Sequence, residues 1–159
     1  MHSPNAANVA DRQDSSAALA NTDLDSMRES YADDLRELLP AEAVLTTEQQ
    51  LRPYESDGLT AIKQRPLLVV LPETIQQVQE IMRWAHAHGV PVVARGAGTG
   101  LSGGASPHPQ GILMGLAKFN RILELDPLEG HAVVQPGVRN LAISEAAAPH
   151  WLYYAPAPS

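Results

Sequence analysis

The sequence predicts an α/β (α+β) fold built from a βαβ unit followed by a β-hairpin. Three observations carry that prediction. Residues 67–71 (LLVVL) and 90–94 (VPVVA) are short, nearly unbroken apolar runs, the pattern of strands covered on both faces. Between them Ile75, Val78, Ile81, Met82 and Ala85 recur at helical spacing, which gives one apolar helix stripe. Strand, helix and strand within some 30 residues form a βαβ unit with parallel strands. Finally, residues 121–125 (RILEL) and 131–135 (HAVVQ) flank Asp126-Pro127-Leu128-Glu129-Gly130, a turn sequence that joins them as a hairpin.

The remaining elements follow in chain order. Residues 1–26 hold almost no large apolar side chain and so bury too little surface to offset their ordering entropy, which predicts an acidic disordered tail. Seven acids (Asp11, Asp14, Asp23, Asp25, Glu29, Asp33, Asp34) face only Arg12 and Arg28 in residues 1–34, placing −5 of the net −7 there. Met27, Tyr31, Leu35, Leu38 and Leu39 recur at helical spacing before Pro40, predicting a short helix over 27–39. Residues 41–65 show no period and read as an irregular lead-in. Thr74 and Gln77 have capping-box spacing at the start of the central helix, and Gly89 stands where a helix C-terminus favours a residue without a side chain. Residues 111–115 (GILMG) read as a third strand and 140–148 as a short helix stopped by Pro149. The final residues, Trp151 to Ser159, carry neither a helix stop nor a solvating tail and read as an ending that is cut rather than finished.

Composition narrows the function. A chain of 159 residues with 44% hydrophobic and 18% charged side chains supports one packed domain. Net charge −7 argues against general nucleic-acid binding, which needs a basic face. The absence of cysteine removes disulfides, thiolate nucleophiles and cysteine-held zinc or iron–sulfur clusters. No apolar run approaches the roughly 18 residues of a membrane span, and no basic-then-apolar leader opens the chain, so a cytoplasmic protein is expected. His86 and His88 lie two apart near a helix end and diverge. Stabilising the helix C-terminus suits them better than a shared metal, and no metal site is expected elsewhere.

The chemistry concentrates in Arg95-Gly96-Ala97-Gly98-Thr99-Gly100-Leu101-Ser102-Gly103-Gly104. Its five glycines admit positive φ and let a ligand approach main-chain N–H groups. Consecutive N–H groups in such turns make an anion-binding concavity, to which Thr99 and Ser102 add hydroxyl donors. A tight structural turn is the alternative reading. Gly98-x-Gly100-x-x-Gly103 matches the Rossmann pattern in letters, but that pattern must open a helix, and Pro107 and Pro109 follow instead. A P-loop needs lysine where Gly104 stands. A loop holding a flavin diphosphate without any helix satisfies both constraints. Arg95 suits either phosphate neutralisation or a structural hydrogen bond to the loop backbone.

VPVVARGAGTGLSGGA resembles the pyrophosphate loop of the FAD-linked oxidases of the p-cresol methylhydroxylase and vanillyl-alcohol oxidase superfamily. RPYESDGLTA, RPLLVVLPETIQQVQEIMRWAHAHGVPVVARG, FNRILELDP, VVQPGVRNLAISEAAAPH and LYYAP extend the likeness to the D subunits of bacterial glycolate oxidases. The resemblance implies that residues 66–159 are the first subdomain of a PCMH-type FAD-binding domain, with residues 27–65 as helix and lead-in. It implies FAD held at 95–104, with further contacts at Pro156, Pro158 and Ser159. Some relatives attach the flavin to a histidine where this sequence has Thr99, so the FAD here is expected to be non-covalent. Two departures stand out: Ala157 replaces the usual aspartate of the Pro-Asp-Pro-Ser block, and Trp151 stands where similar sequences tend to have glycine.

By that resemblance the chain is the N-terminal part of a flavin-dependent 2-hydroxy-acid dehydrogenase or oxidase of the glycolate or D-lactate type. Its family oxidises CH–OH groups, but the second FAD subdomain and the cap domain do not follow Ser159, and no catalytic residue is assigned. Sister subunits, one flavin-binding and one iron–sulfur, are implied as partners, with membrane association through them. An FAD subdomain without its other half would expose an apolar face and be poorly soluble. Two further readings are a non-catalytic remnant and an NAD-binding Rossmann protein, the latter requiring a helix directly after Gly104.

Overall fold

A computed structural model of the protein describes residues 7–59, 61 and 63–155. In chain order its main elements are α1 (Ala7–Leu38), β1 (Val44–Leu45), α2 (Glu48–Leu51), β2 (Leu68–Val70), α3 (Ile75–His88), β3 (Val92–Arg95), β4 (Ile112–Gly115), β5 (Ile122–Asp126), β6 (His131–Val134) and α4 (Asn140–Ala147). The first four strands form one sheet in the order β1-β2-β4-β3, and β5 and β6 form a separate antiparallel pair. The mixed α/β class is as the sequence predicts.

β2 and β3, the strands flanking α3, both run parallel to β4. They are therefore parallel to each other, as the βαβ pattern requires, but β4 lies between them. Leu68 pairs with Ile112 and Val92 pairs with the same residue on the other side. That central position explains why Ile112, Leu113 and Met114 are all buried. β1 adds an antiparallel edge to β2, with Val44 opposite Val70.

The sheet is covered on both faces, which is the reason for the continuous LLVVL run. Leu68, Val70, Ile112 and Met114 share one core with Leu35 and Leu39 from the C-terminal end of α1 and its exit, and with Ile81 and Ala85 of α3. Val69 and Leu113 point the other way and meet Leu51, with Leu45 and Tyr54 beside it. The stretch read as irregular lead-in thus supplies an edge strand and a lid for the second face. Its short helix is capped by Thr47 and Gln50.

α3 starts and stops as its sequence predicts. The Thr74 hydroxyl accepts from the Gln77 N–H at 3.2 Å while Gln77 Oε1 accepts from the Thr74 N–H at 3.2 Å. Gly89 closes the helix in the left-handed region at φ 64°, a conformation that costs a side-chain-bearing residue more. Of the predicted stripe, Ile81 and Ala85 are buried, whereas Ile75 and Met82 are exposed. His88 is engaged at the helix end: its Nδ1 donates to the Trp84 carbonyl at 2.8 Å and its ring stacks on Trp84.

One boundary needs correction. The helix predicted over 27–39 begins twenty residues earlier, at Ala7, inside the segment read as a solvated tail. Alanine-rich sequence without glycine or proline from Ala7 to Leu39 has the intrinsic propensity to carry a helix upstream of its buried turn. Residues 1–6 lie outside the described residues. The buried end is fixed by Arg28, whose Nε donates to the Leu67 carbonyl at 2.7 Å, and by Trp84, whose Nε1 donates to Asp34 at 3.1 Å.

Candidate functional site

Parallel strands place ligands beyond their carboxyl ends, where the following loops gather. β3 ends at Arg95, whose carbonyl accepts from the Leu116 N–H at 2.8 Å, and the glycine-rich loop departs there. Residues 97–104 contribute no backbone N–H to any hydrogen bond among the described residues. Thr99 and Ser102 are exposed, and neither hydroxyl bonds to a described residue. Exposed donors without an intramolecular partner are open to water or to the acceptor atoms of a ligand.

The loop is nonetheless held from behind. The Arg95 guanidinium turns away from the loop's outer face: Nη1 donates to the Ser56 carbonyl at 2.7 Å and to the Tyr54 carbonyl at 3.5 Å. Its carbon lies 5.6 Å from the centre of the Tyr54 ring, within the range of a cation–π contact. Gly98, at φ 72°, sits directly against this guanidinium, and a Cβ there would strike it. The sequence offered Arg95 a phosphate or the loop's own backbone; among the described residues its bonds run instead to the Tyr54 and Ser56 carbonyls, outside the loop.

Gly58 makes the second buttress. A Cβ on Gly58 would lie 2.5 Å from the Thr99 carbonyl oxygen and 2.8 Å from that of Gly100, so only glycine admits the loop at that distance. Its neighbour Asp57 is 4% exposed. Asp57 Oδ1 accepts from the Leu59 N–H at 2.8 Å, and Oδ2 has no partner among the described residues. Ser106 Oγ, near Gly103, is likewise buried and unpartnered among them.

A cleft of about 470 Å³ opens beside the start of the loop. Gly96, Ala97, Asn120, Pro136, Arg139 and Ala142 are among the residues that line it. The Pro136–Arg139 turn is pinned by Gly137, which donates to the Phe119 carbonyl at 2.7 Å, and by Val138, which donates to the Gln135 carbonyl at 3.1 Å. Arg139 is exposed at the N-cap of α4, and its side chain bonds to no described residue. Among the described residues no acidic side chain lines this cleft. Free N–H donors, hydroxyls, an unpaired guanidinium and no carboxylate at the surface fit a phosphate-bearing ligand such as a dinucleotide.

The sequence did not single out Asn120, Arg139 or Gly58. A lone arginine on a turn has no spacing to mark it, and a glycine needed for close approach looks like any other. The one available signal for Arg139 was the Pro136-Gly137 turn directly after a strand. Pro156, Pro158 and Ser159 lie outside the described residues. Tyr153 and Tyr154 line a different cleft of about 320 Å³, against the β5–β6 hairpin and α4. A larger cleft of about 630 Å³ borders Arg28 and Arg65, but Arg28 is paired with Asp25, and Arg65 with Glu48 and Glu55. The Glu55 carboxylate, bonded to Arg65, holds that guanidinium above its ordinary pKa.

Gly98-x-Gly100-x-x-Gly103 does not open a helix. Among the described residues none starts between Gly104 and Asn140, which removes the helix N-terminus that a Rossmann pyrophosphate site requires.

Comparison with known proteins agrees with this geometry. Residues 66–159 match the family described as FAD binding domain. The glycolate oxidase subunit GlcD of Escherichia coli K12 is 57% identical over 125 residues, covering 79% of this chain and 25% of that protein. A D-2-hydroxyglutarate dehydrogenase of Stutzerimonas stutzeri is 36% identical over 122 residues, 77% of this chain and 26% of that protein. The crystal structure of p-cresol methylhydroxylase with substrate bound superimposes with a TM-score of 0.70 at 26% identity, over 80% of this chain and 25% of that one. The chain spans about a quarter of the length of the curated relatives it matches.

Proposed function

Because the chain belongs to the FAD binding domain family, we propose that it binds FAD non-covalently through the pyrophosphate, as the N-terminal subdomain of a flavin-dependent 2-hydroxy-acid dehydrogenase or oxidase. The observation that carries this reading is the run of unpaired N–H groups at residues 97–104, beyond the carboxyl ends of two parallel strands. Thr99 and Ser102 add hydroxyl donors, and Gly96, Ala97, Gly98, Gly100, Leu101, Gly103 and Gly104 complete the cradle, which Arg95 anchors from behind. Pro156, Pro158 and Ser159 form a second contact in this reading. Thr99 offers no imidazole for a covalent flavin bond.

Bound FAD would supply hydride acceptance from a carbon bearing a hydroxyl group. The residues of this chain do something narrower: they bind and orient the diphosphate, and none is given a catalytic role. Residues 66–159 form the subdomain and 27–65 cover its sheet. The glycolate or D-lactate class of substrate is favoured by the relatives, which include glycolate oxidase subunits and a D-lactate dehydrogenase of Archaeoglobus fulgidus. The relatives' naming as subunits supports an assembly, and in this reading its sister subunits are one flavin-binding and one iron–sulfur. Among the described residues no helix is long and apolar enough to cross a membrane; the reading places the protein in the cytoplasm, associated with membranes through such partners.

Titration of the 159-residue chain with FAD, ADP and riboflavin tests the reading. FAD and ADP should bind and riboflavin, which lacks the diphosphate, should not. Equal binding of riboflavin and FAD would place recognition on the flavin ring and remove the pyrophosphate role of the loop.

A further inference from the structure

We infer that two arginines divide the task of holding the diphosphate: Arg139 supplies the positive charge, while Arg95, although inside the glycine-rich motif, is a positioning residue that does not meet the ligand. This division rests on the FAD reading and refines it.

Arg95 is already committed. Its Nη1 donates to the carbonyls of Ser56 and Tyr54, its carbon lies 5.6 Å from the centre of the Tyr54 ring, and Gly98 sits against Nε and Nη2. Reaching a ligand on the loop's outer face would mean breaking those bonds and leaving two carbonyls unpaired, a loss with no compensating partner. What Arg95 does instead is fix the path of the loop. It ties the first residues after β3 to the 54–56 segment, and Gly58 from the same segment sets the height of the Thr99 and Gly100 carbonyls. The free N–H groups are thereby held in place before any ligand arrives, which lowers the ordering cost of binding.

Arg139 is uncommitted. It is exposed, its side chain bonds to no described residue, and it lines the same cleft as Gly96 and Ala97 at the start of the loop. A planar guanidinium suits phosphate oxygens, and hydrogen bonds between ions are roughly twice as strong as neutral ones. Because the side chain is exposed, salt screens its charge. A residue contributing charge and a residue contributing geometry therefore differ in how their removal alters salt dependence.

The test is FAD titration of the whole chain at low and high salt, with circular dichroism to confirm folding. Arg139→Gln should weaken FAD binding by about tenfold at low salt and make the affinity less sensitive to salt. Arg139→Lys should keep the salt sensitivity. Arg95→Lys retains the charge and should still lose affinity, with the salt dependence of the unaltered protein. Gly98→Ala, which displaces the guanidinium while leaving Arg95 in place, should behave as Arg95→Lys does and guards against an Arg95 variant that fails to fold. Unchanged affinity and salt response in Arg139→Gln overturns the inference, as does full affinity in Arg95→Lys together with Gly98→Ala. If the unaltered chain binds no FAD, the functional reading itself fails and the division falls with it, before any variant is compared.

Discussion

Trp151 is the sole non-glycine residue among those described with a left-handed backbone, at φ 60° and ψ 27°. It closes the short 3-10 turn after α4 and is 96% exposed, so its indole gains little from packing. The family resemblance implies glycine at this position, and the left-handed backbone suits one. A side chain in this conformation costs roughly 1–2 kcal/mol. Trp151→Gly should therefore stabilise the chain by about 1 kcal/mol, seen as a higher thermal midpoint by circular dichroism. A lower midpoint would show that the indole has contacts the exposure does not reveal.

Asp126 illustrates a legible residue with a pH consequence. The turn predicted at 126–130 is capped by this carboxylate, which accepts from the Leu128 N–H at 2.9 Å and the Glu129 N–H at 3.0 Å. The bond from the Glu129 N–H, then that from Leu128, with His131 nearby, holds the carboxyl below its usual range. A folded value below the unfolded one means that the contribution is full above about pH 4 and is lost as pH falls through the lower folded value. Asp126→Asn should lower stability at neutral pH, flatten the acid limb in that window, and converge with the unaltered protein at the acid end. An unchanged acid limb would show that other carboxylates govern it.

The elements most visible in the sequence are those with a strong period or a capping signal. α3 declared itself by Thr74, Gln77 and Gly89, and the strands by unbroken apolar runs. β1 was invisible because two residues, Val44 and Leu45, have no period, and its existence depends on an edge of β2 that lies more than twenty residues away. The placement of β4 between β2 and β3 was equally hidden, since local sequence sets strand content and not strand order. α1 was half seen: its buried turn shows spacing, and its upstream extension rests on propensity alone. Leu35, fully buried in the shared core, tests whether α1 is integral to the sheet. Leu35→Ala should cost roughly 2–5 kcal/mol by chemical denaturation, and a cost under about 1 kcal/mol would mean that the helix docks only loosely.

Taken as one body, the chain has a well-covered four-stranded sheet and a sparsely covered C-terminal third. Leu123, Val133, Leu141, Trp151 and Tyr153 are all exposed, and together they lie on or next to β5, β6 and α4. Exposed apolar area of that kind favours association. Sedimentation of the isolated chain should show a mass that rises with concentration, whereas a monomer over the whole range would indicate that these side chains do not form one adhesive surface. The candidate site was legible in its central part, because glycine density after a buried strand is a local signal. Its supports were not, since Tyr54, Ser56 and Gly58 reach the loop only through the fold, and Arg139 lines the cleft from the start of α4.

The most direct test of non-covalent FAD binding at the glycine-rich loop is a retention spectrum. The 159-residue chain is mixed with FAD, freed of unbound ligand by gel filtration, and its visible absorbance recorded before and after acid precipitation. A flavin band that travels with the protein and passes into the supernatant on precipitation is the predicted result. A folded chain that retains no flavin, or a flavin that stays with the precipitate, would contradict it.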